Sequence, residues 1–359
     1  MITALIFILV IGVLVLVHEF GHFIVAKRAG MKVEEFGFGF PPRLFGWKRG
    51  ETTYSLNWIP FGGFVKILGE DGDDQGPRSF ASKSIKTRLG VVLAGVIMNV
   101  FLAVVLLMIV NFFGLRIGLV DDELFKEARD HQIQVISIAA DSPAQAADLR
   151  PLDQLIRIKA QEKVFELATS KEAQEIIKEN AGKSLTLVIK RGNETVEKTV
   201  IPRLNPPEGQ GALGISLAQT GVISYPWHEA IWRGFYNTGI LLINTVIGYY
   251  LLLKTLLFEG RLLGEVSGPV GIATLTGQAA RIGINYLLQF VALISINLAV
   301  LNSIPFPALD GGRAILLIVE KIKGSPVPKR AEGMINAVGF YLLILLMIYV
   351  TIKDVVKFF

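Results

Sequence analysis

Five stretches of the chain stay apolar for long enough to cross a bilayer: about residues 2–25, 89–113, 240–258, 286–304 and 335–352. A span needs about 20 mostly apolar residues to cross about 30 Å of hydrocarbon. No basic residue precedes the first run, whose first lysine is Lys27, so it reads as a retained span and not a cleaved leader. Between the second and third runs, about Gly114–Trp232, the pattern changes to short apolar runs alternating with charged segments. There Val135–Ala160 has strand, turn and strand character. Ser170–Gly182 predicts a capped amphipathic helix ending at Gly182, and Ser184–Pro202 predicts a hairpin around Arg191-Gly192-Asn193. This stretch predicts a small α+β domain of about 80 residues.

Composition agrees with a membrane chain. Of 359 residues, 52% are hydrophobic and 19% charged, where a soluble domain carries about 25% charge. A disordered chain, a disulfide scaffold and an ordinary cytosolic enzyme are excluded. The net charge of +5 is too diffuse to argue for nucleic acid. Cysteine is absent, so there is no thiol nucleophile or thiolate metal site, and any metal must be held by His, Asp or Glu. Lys27–Arg88 holds eleven Lys/Arg against seven acids, and the loop near 320–332 carries Lys321, Lys323, Lys329 and Arg330. By the positive-inside rule both loops face the cytoplasm. The soluble domain and the N-terminus then lie outside.

Residues 18–22 read His-Glu-Phe-Gly-His. Two His at i and i+4 point the same way one turn apart and can share a divalent ion. The Glu between them is placed to act as general base on a water. Ionisable groups inside an apolar helix are costly and signal function; the plainer alternative is polar pairing at a helix end. A catalytic zinc takes three protein ligands, so Asp, Glu or another His must supply the third. The C-terminal half offers Asp310, the only acid between Glu265 and Glu320. Pro305, Pro307, Gly311 and Gly312 flank it and break the helix. Such backbone is tolerated at membrane depth where it is buried in protein or lines a wet cavity; the alternative is a simple turn at a span end. His131 and His228 read as surface or packing residues.

These motifs resemble the site-2 protease family of intramembrane zinc metalloproteases, most closely its bacterial regulator of sigma-E protease branch. Leu16–Gly30 is similar to the family's first motif, and Asn302–Arg313 to its Asn…Pro-x-Pro-x-Leu-Asp-Gly motif. Glu34–Phe40 with Ile59–Asp71 resembles its membrane-dipping β-hairpin, and Ser267–Ala273 the segment before its third core span. Two departures stand out. The second span reads Ala94-Gly95-Val96, with Asn99 kept, where the family usually has Ala-Gly-Pro…Asn; and there is room for one PDZ-like domain, where the best-known members have two.

The resemblance implies a polytopic α-helical membrane protein with a four-span catalytic core, a membrane-associated β-hairpin and one extracytoplasmic PDZ-like α+β domain. The expected divisions are 1–113 (first catalytic half), 114–205 (PDZ-like domain), 206–285 (linker with an interfacial helix) and 286–359 (second catalytic half). The core spans would be 2–25, 89–113, 286–307 and 335–352, because Asp310 reaches the side of His18 and His22 only if 240–258 does not cross. Zinc would be held by His18, His22 and Asp310, with Glu19 as base. Asn302, Pro305, Pro307, Gly62 and Gly63 would contact substrate. The expected substrates are single-span membrane proteins, anti-sigma factors or remnant signal peptides, cut after a prior extracytoplasmic cleavage. The expected location is the bacterial cytoplasmic (inner) membrane. A metal-binding transporter or a non-catalytic PDZ membrane scaffold would share several of these features, but neither needs a base at Glu19.

Overall fold

The hydropathy pattern becomes long helices in the structure, a computed structural model described for residues 2–70, 76–119, 122–161, 163–192, 194–260 and 268–358. Asp71, Asn193 and Ser267, which belong to stretches read above, lie outside these residues. In chain order come α1 (Ile2–Arg28), β1 (Val33–Arg49), β2 (Thr52–Ile67) and α2 (Ile85–Phe113). Next are β3 (Leu115–Gly118), α3 (Asp122–Glu127), β4 (Arg129–Ile138), α4 (Pro143–Ala146), β5 (Gln154–Ala160) and β6 (Lys163–Glu166). Then follow α5 (Ser170–Glu179), β7 (Leu185–Arg191), β8 (Glu194–Val200) and β9 (Ile215–Ile223). The chain closes with α6 (Trp227–Glu259), α7 (Pro269–Ile282), α8 (Ile284–Ser303), α9 (Asp310–Lys323) and α10 (Lys329–Phe358).

Helices α1, α2, α6, α8 and α10 are each long and apolar enough to cross a membrane, which makes this a polytopic membrane protein. The chain divides into two compact units. The first comprises residues 1–109, 231–277 and 288–359. In lipid there is little hydrophobic drive between helices, so small residues that allow close approach decide the packing. At Gly21 of α1 a Cβ would overlap the Ala94 carbonyl of α2, so these helices cross at a glycine. Ala103 and Leu107 of α2 pack with Ala292, Ile296 and Val300 of α8, and Leu241, Leu242 and Tyr249 of α6 cover them.

Strands β1 and β2 pair antiparallel with several register breaks. Residues 33–38 pair on one side with 63–67 and on the other with 53–56, which in turn face 43–49. The hairpin is thus folded into four interleaved ribbons. Residues 63–67 form one outer edge, with no further strand paired to them among the described residues. Phe40, Phe45, Trp47 and Trp58 of the hairpin are exposed, as suits aromatic groups at a membrane interface.

The second unit comprises residues 110–230 and 278–287. Its sheet runs β3-β9-β4-β5-β7-β8, with β6 paired to β5. Leu185, Leu187 and Ile189 alternate on β7, point to one face and are fully buried, each contributing about 1.5–3 kcal/mol. Against them packs α5, begun by the Thr169 side chain, which accepts the Glu172 amide at 3.2 Å. The helix stops at Glu179, before the expected Gly182; the Asn180 amide bonds back to the Ile176 carbonyl and closes it. The sheet takes in β9, beyond residue 205, because β3 and β4 both need it as their hydrogen-bonding neighbour.

Candidate metal centre

Three donor atoms converge in the first unit. The Nε2 atom of His18 lies 3.1 Å from Asp310 Oδ2, and His22 Nε2 lies 3.5 Å from the same oxygen. The two ring nitrogens are 3.2 Å apart, and one donor atom from each residue falls within 4.8 Å of the others. The α-helical period places both imidazoles on one side of α1, one turn apart. Asp310 arrives from the far end of the sequence, in the first turn of α9.

The turn that delivers Asp310 is unusually tight. Residues 304–309 leave the helical path after α8. Ala308 there adopts φ +71°, a left-handed conformation that costs an alanine about 1–3 kcal/mol. Its amide donates to Asn336 Oδ1 at 3.3 Å. Gly311 and Gly312 lie so close to the Ser303, Ile304 and Phe306 carbonyls that no Cβ fits at either.

The surroundings fit a metal ion. Asp310 Oδ2 is buried and makes no well-aligned hydrogen bond, although the imidazoles are near, so its lone pairs are left for another partner. His22 Nδ1 lies 2.8 Å from the Val91 carbonyl. A carbonyl can only accept, so Nδ1 carries the proton and Nε2 keeps its lone pair for a metal. His18 Nδ1 lies 3.2 Å from the Asn99 amide group. With the amide turned so that its oxygen faces the ring, that oxygen, otherwise buried without a partner, accepts from Nδ1–H and frees His18 Nε2 in the same way. The Ser295 hydroxyl donates to the Asn99 backbone carbonyl at 2.8 Å and steadies α2 behind the ring. Gly95 completes the cradle: a Cβ there would fall 2.6–2.7 Å from two His18 ring atoms and closer still to His22 Nε2. Only glycine leaves the space between the imidazoles and α2 open. Two imidazoles and one carboxylate are the donor set of a three-ligand catalytic zinc site.

Glu19 borders the same cavity of about 170 Å³, with Phe64, Val65 and Ile67 of the hairpin's outer edge, and with Glu70 and Arg313. A Cβ at Gly63 would stand 3.3 Å from Glu19 Cγ, so the ribbon edge runs directly past this carboxylate. Of the positions expected to contact substrate, Gly63 is therefore brought to the site. Gly62, Asn302, Pro305 and Pro307 are not among the residues that border the cavity. Arg313 pairs with Glu70 and not with the nearby Asp310. His131 and His228 lie in the second unit; the His131 ring rests on Phe125 with centroids 4.1 Å apart, as a packing residue does. Gly95, Glu70 and the Val91 carbonyl are parts of the site that sequence reasoning did not find. A glycine four residues before a polar Asn in an apolar span was the one signal available.

A polytopic membrane protein that gathers two histidines of one helix, the intervening glutamate and a distant aspartate into one buried cavity is a metal-dependent hydrolase by class. Residues 6–346 match the model of peptidase family M50. The chain belongs to that family, the site-2 proteases, and is a zinc metalloprotease. A Clostridium perfringens protein provisionally named a zinc metalloprotease is 39% identical over 97% of both chains. Zinc metalloprotease RasP of Oceanobacillus iheyensis is 30% identical over the full length of both. Regulator of sigma-W protease RasP of Bacillus subtilis is 28% identical over 99% of each.

Proposed function

We propose that this protein hydrolyses peptide bonds of single-span membrane substrates within the bilayer, with His18, His22 and Asp310 as zinc ligands and Glu19 as general base. The observation that carries this reading is the meeting of three donor atoms from residues 18, 22 and 310 within 4.8 Å. Held by these three side chains, a zinc ion would supply Lewis-acid polarisation of the scissile carbonyl and acidification of a water. Glu19 takes the proton of the attacking water and returns it to the leaving amine. A transmembrane helix has its amides satisfied internally, so the substrate must be unwound before its carbonyl is exposed. The free edge at residues 63–67 can receive an unwound segment as an added strand and lay it past Glu19. Asn302, half-buried in the last turn of α8, is assigned to holding that extended segment.

The core has four spans: α1, α2, α8 and α10. His18 lies in the second half of α1 and Asp310 follows the end of α8, so these two helices must cross in the same direction. After α2 has returned the chain, a crossing by α6 would reverse α8. Helix α6 therefore lies along the membrane, consistent with its exposed Trp227, Trp232 and Tyr236. The excess of Lys and Arg in residues 27–88 supports a cytoplasmic position for that stretch and for the site's mouth, in what we take to be a bacterial inner membrane. The second unit is the PDZ-like extracytoplasmic domain, which excludes proteins with intact ectodomains, so cleavage follows a prior cut. The Bacillus subtilis relative is named for sigma-W regulation, which supports an anti-sigma factor as substrate, with remnant signal peptides the other class. The test compares wild type with Glu19→Gln, measuring bound zinc and cleavage of a model single-span substrate. The variant should keep its zinc and lose cleavage, whereas continued cleavage overturns the assignment.

A further inference from the structure

Helix α9 presents Asp310, yet its N-cap residue Leu309 makes no side-chain hydrogen bond to the first turn. Something else fixes where the helix sits. Two ion pairs hold it, two turns apart on about the same face. Near its start, Arg313 donates to Glu70 in the turn after β2. Glu70 is itself anchored, because its other oxygen accepts the Ile67 amide at 3.3 Å. Near its end, Glu320 receives both terminal nitrogens of Arg88, from the first turn of α2, one of them at 3.0 Å. The four side chains are 12–29% exposed, so these pairs are less screened than open surface pairs. A second cavity of about 300 Å³ lies between them, bordered by all four and by Leu316 and Leu317.

Asp310 in the first turn and Lys321 and Lys323 in the last suit the macrodipole of α9. Arg313 and Glu320 oppose it, a cation towards the N-terminus and an anion towards the C-terminus. They therefore serve partners outside the helix. The partners have opposite polarity, an acid on the hairpin side and a base on α2. A reversed α9 would set Arg313 against Arg88 and Glu320 against Glu70.

We propose that Glu70 and Arg88 are positioning residues that seat α9, through two ion pairs of opposite polarity, so that the Asp310 carboxylate meets the His18 and His22 imidazoles. The Glu70–Arg313 pair also ties the ribbon edge beside Glu19 to the helix that carries Asp310. This rests on the reading of Asp310 as a zinc ligand.

The test uses the full-length protein in detergent with Glu70→Gln, Arg88→Gln and the exchanged pairs Glu70→Arg/Arg313→Glu and Arg88→Glu/Glu320→Arg. Two quantities are read: the rate of zinc release to excess chelator, and amide exchange of α9 in the zinc-free protein. Each single variant should speed release about tenfold, the scale of a lost supporting contact, and quicken α9 exchange severalfold. Each exchanged pair should return both towards wild type. Unchanged release and exchange in both single variants would overturn the proposal, as would exchanged pairs no better than the singles. Each exchanged pair is judged against wild type directly, so a single variant that fails to fold leaves the test intact. A wild-type protein that binds no zinc would defeat the metal reading, while the exchange measurement still reports on the seating of α9.

Discussion

Gly95 of α2 stands directly behind His18, with no room for a Cβ between its backbone and the two imidazoles. Gly95→Ala should push both rings out of line. Zinc per chain in the purified variant should fall well below that of wild type. Gly90→Ala, on the same helix with nothing within 4 Å of its added Cβ, should keep full zinc. Equal zinc in both variants would show that the rings are free to move.

Asn99 touches His18 from the side away from Asp310. Removing its side chain frees the ring to rotate and to change tautomer. Asn99→Ala should weaken zinc binding about 10–100-fold, as measured by chelator competition. Affinity within twofold of wild type would assign Asn99 to helix packing alone.

Ala308 holds a left-handed backbone one residue before the α9 cap. Glycine adopts that conformation without steric cost. Ala308→Gly should keep zinc and leave the thermal midpoint unchanged or slightly raised. A β-branched Ala308→Val should lower the midpoint by several degrees. Thermal unfolding followed by zinc release separates the two outcomes.

In the second unit, Asp148 contacts Arg150 at 2.9 Å, Lys198 at 3.0 Å and Arg191 at 3.1 Å. Partial burial works to raise its pKa, but the hydrogen bonds from Lys198, Arg150 and Arg191 outweigh it and hold the carboxyl at about 2, below the ordinary 3.8. A folded pKa below the unfolded one stabilises the fold at pH values above the unfolded pKa. This contribution is complete above about pH 4 and is lost as pH falls towards 2. Acid unfolding of this unit, followed by amide exchange, should therefore steepen between those values, and Asp148→Asn should flatten that step. An unchanged profile in the variant would remove Asp148 from the acid response.

The long elements and the three residues that converge in the candidate metal centre were legible because each leaves a dense local signal. Helix α1 combines an unbroken apolar run with His18 and His22 one turn apart, and Asp310 is isolated among prolines and glycines. The hairpin at Arg191-Gly192 follows from alternation on both arms, seen as β7 and β8. What escaped was non-local. Strand β3 has only four residues, and β9 acquires its identity from neighbours distant in sequence. The interleaving of residues 33–67 depends on two ribbons, 33–38 and 53–56, each pairing on both sides, which alternation cannot encode. Gly95 looks like any small residue of an apolar helix, and Glu70 like any loop acid, until the tertiary structure sets them against His18 and Arg313.

The three candidate donors are far apart in the sequence, with His18 and His22 on one helix and Asp310 on another. A ribosome that has inserted α1 has made two of them, and the third emerges only after α8 has been translated. Any product stopped short of residue 310 thus carries an incomplete donor set. On the proposed ligand set, proteolytic competence is in this way reserved for chains that have been built past α8.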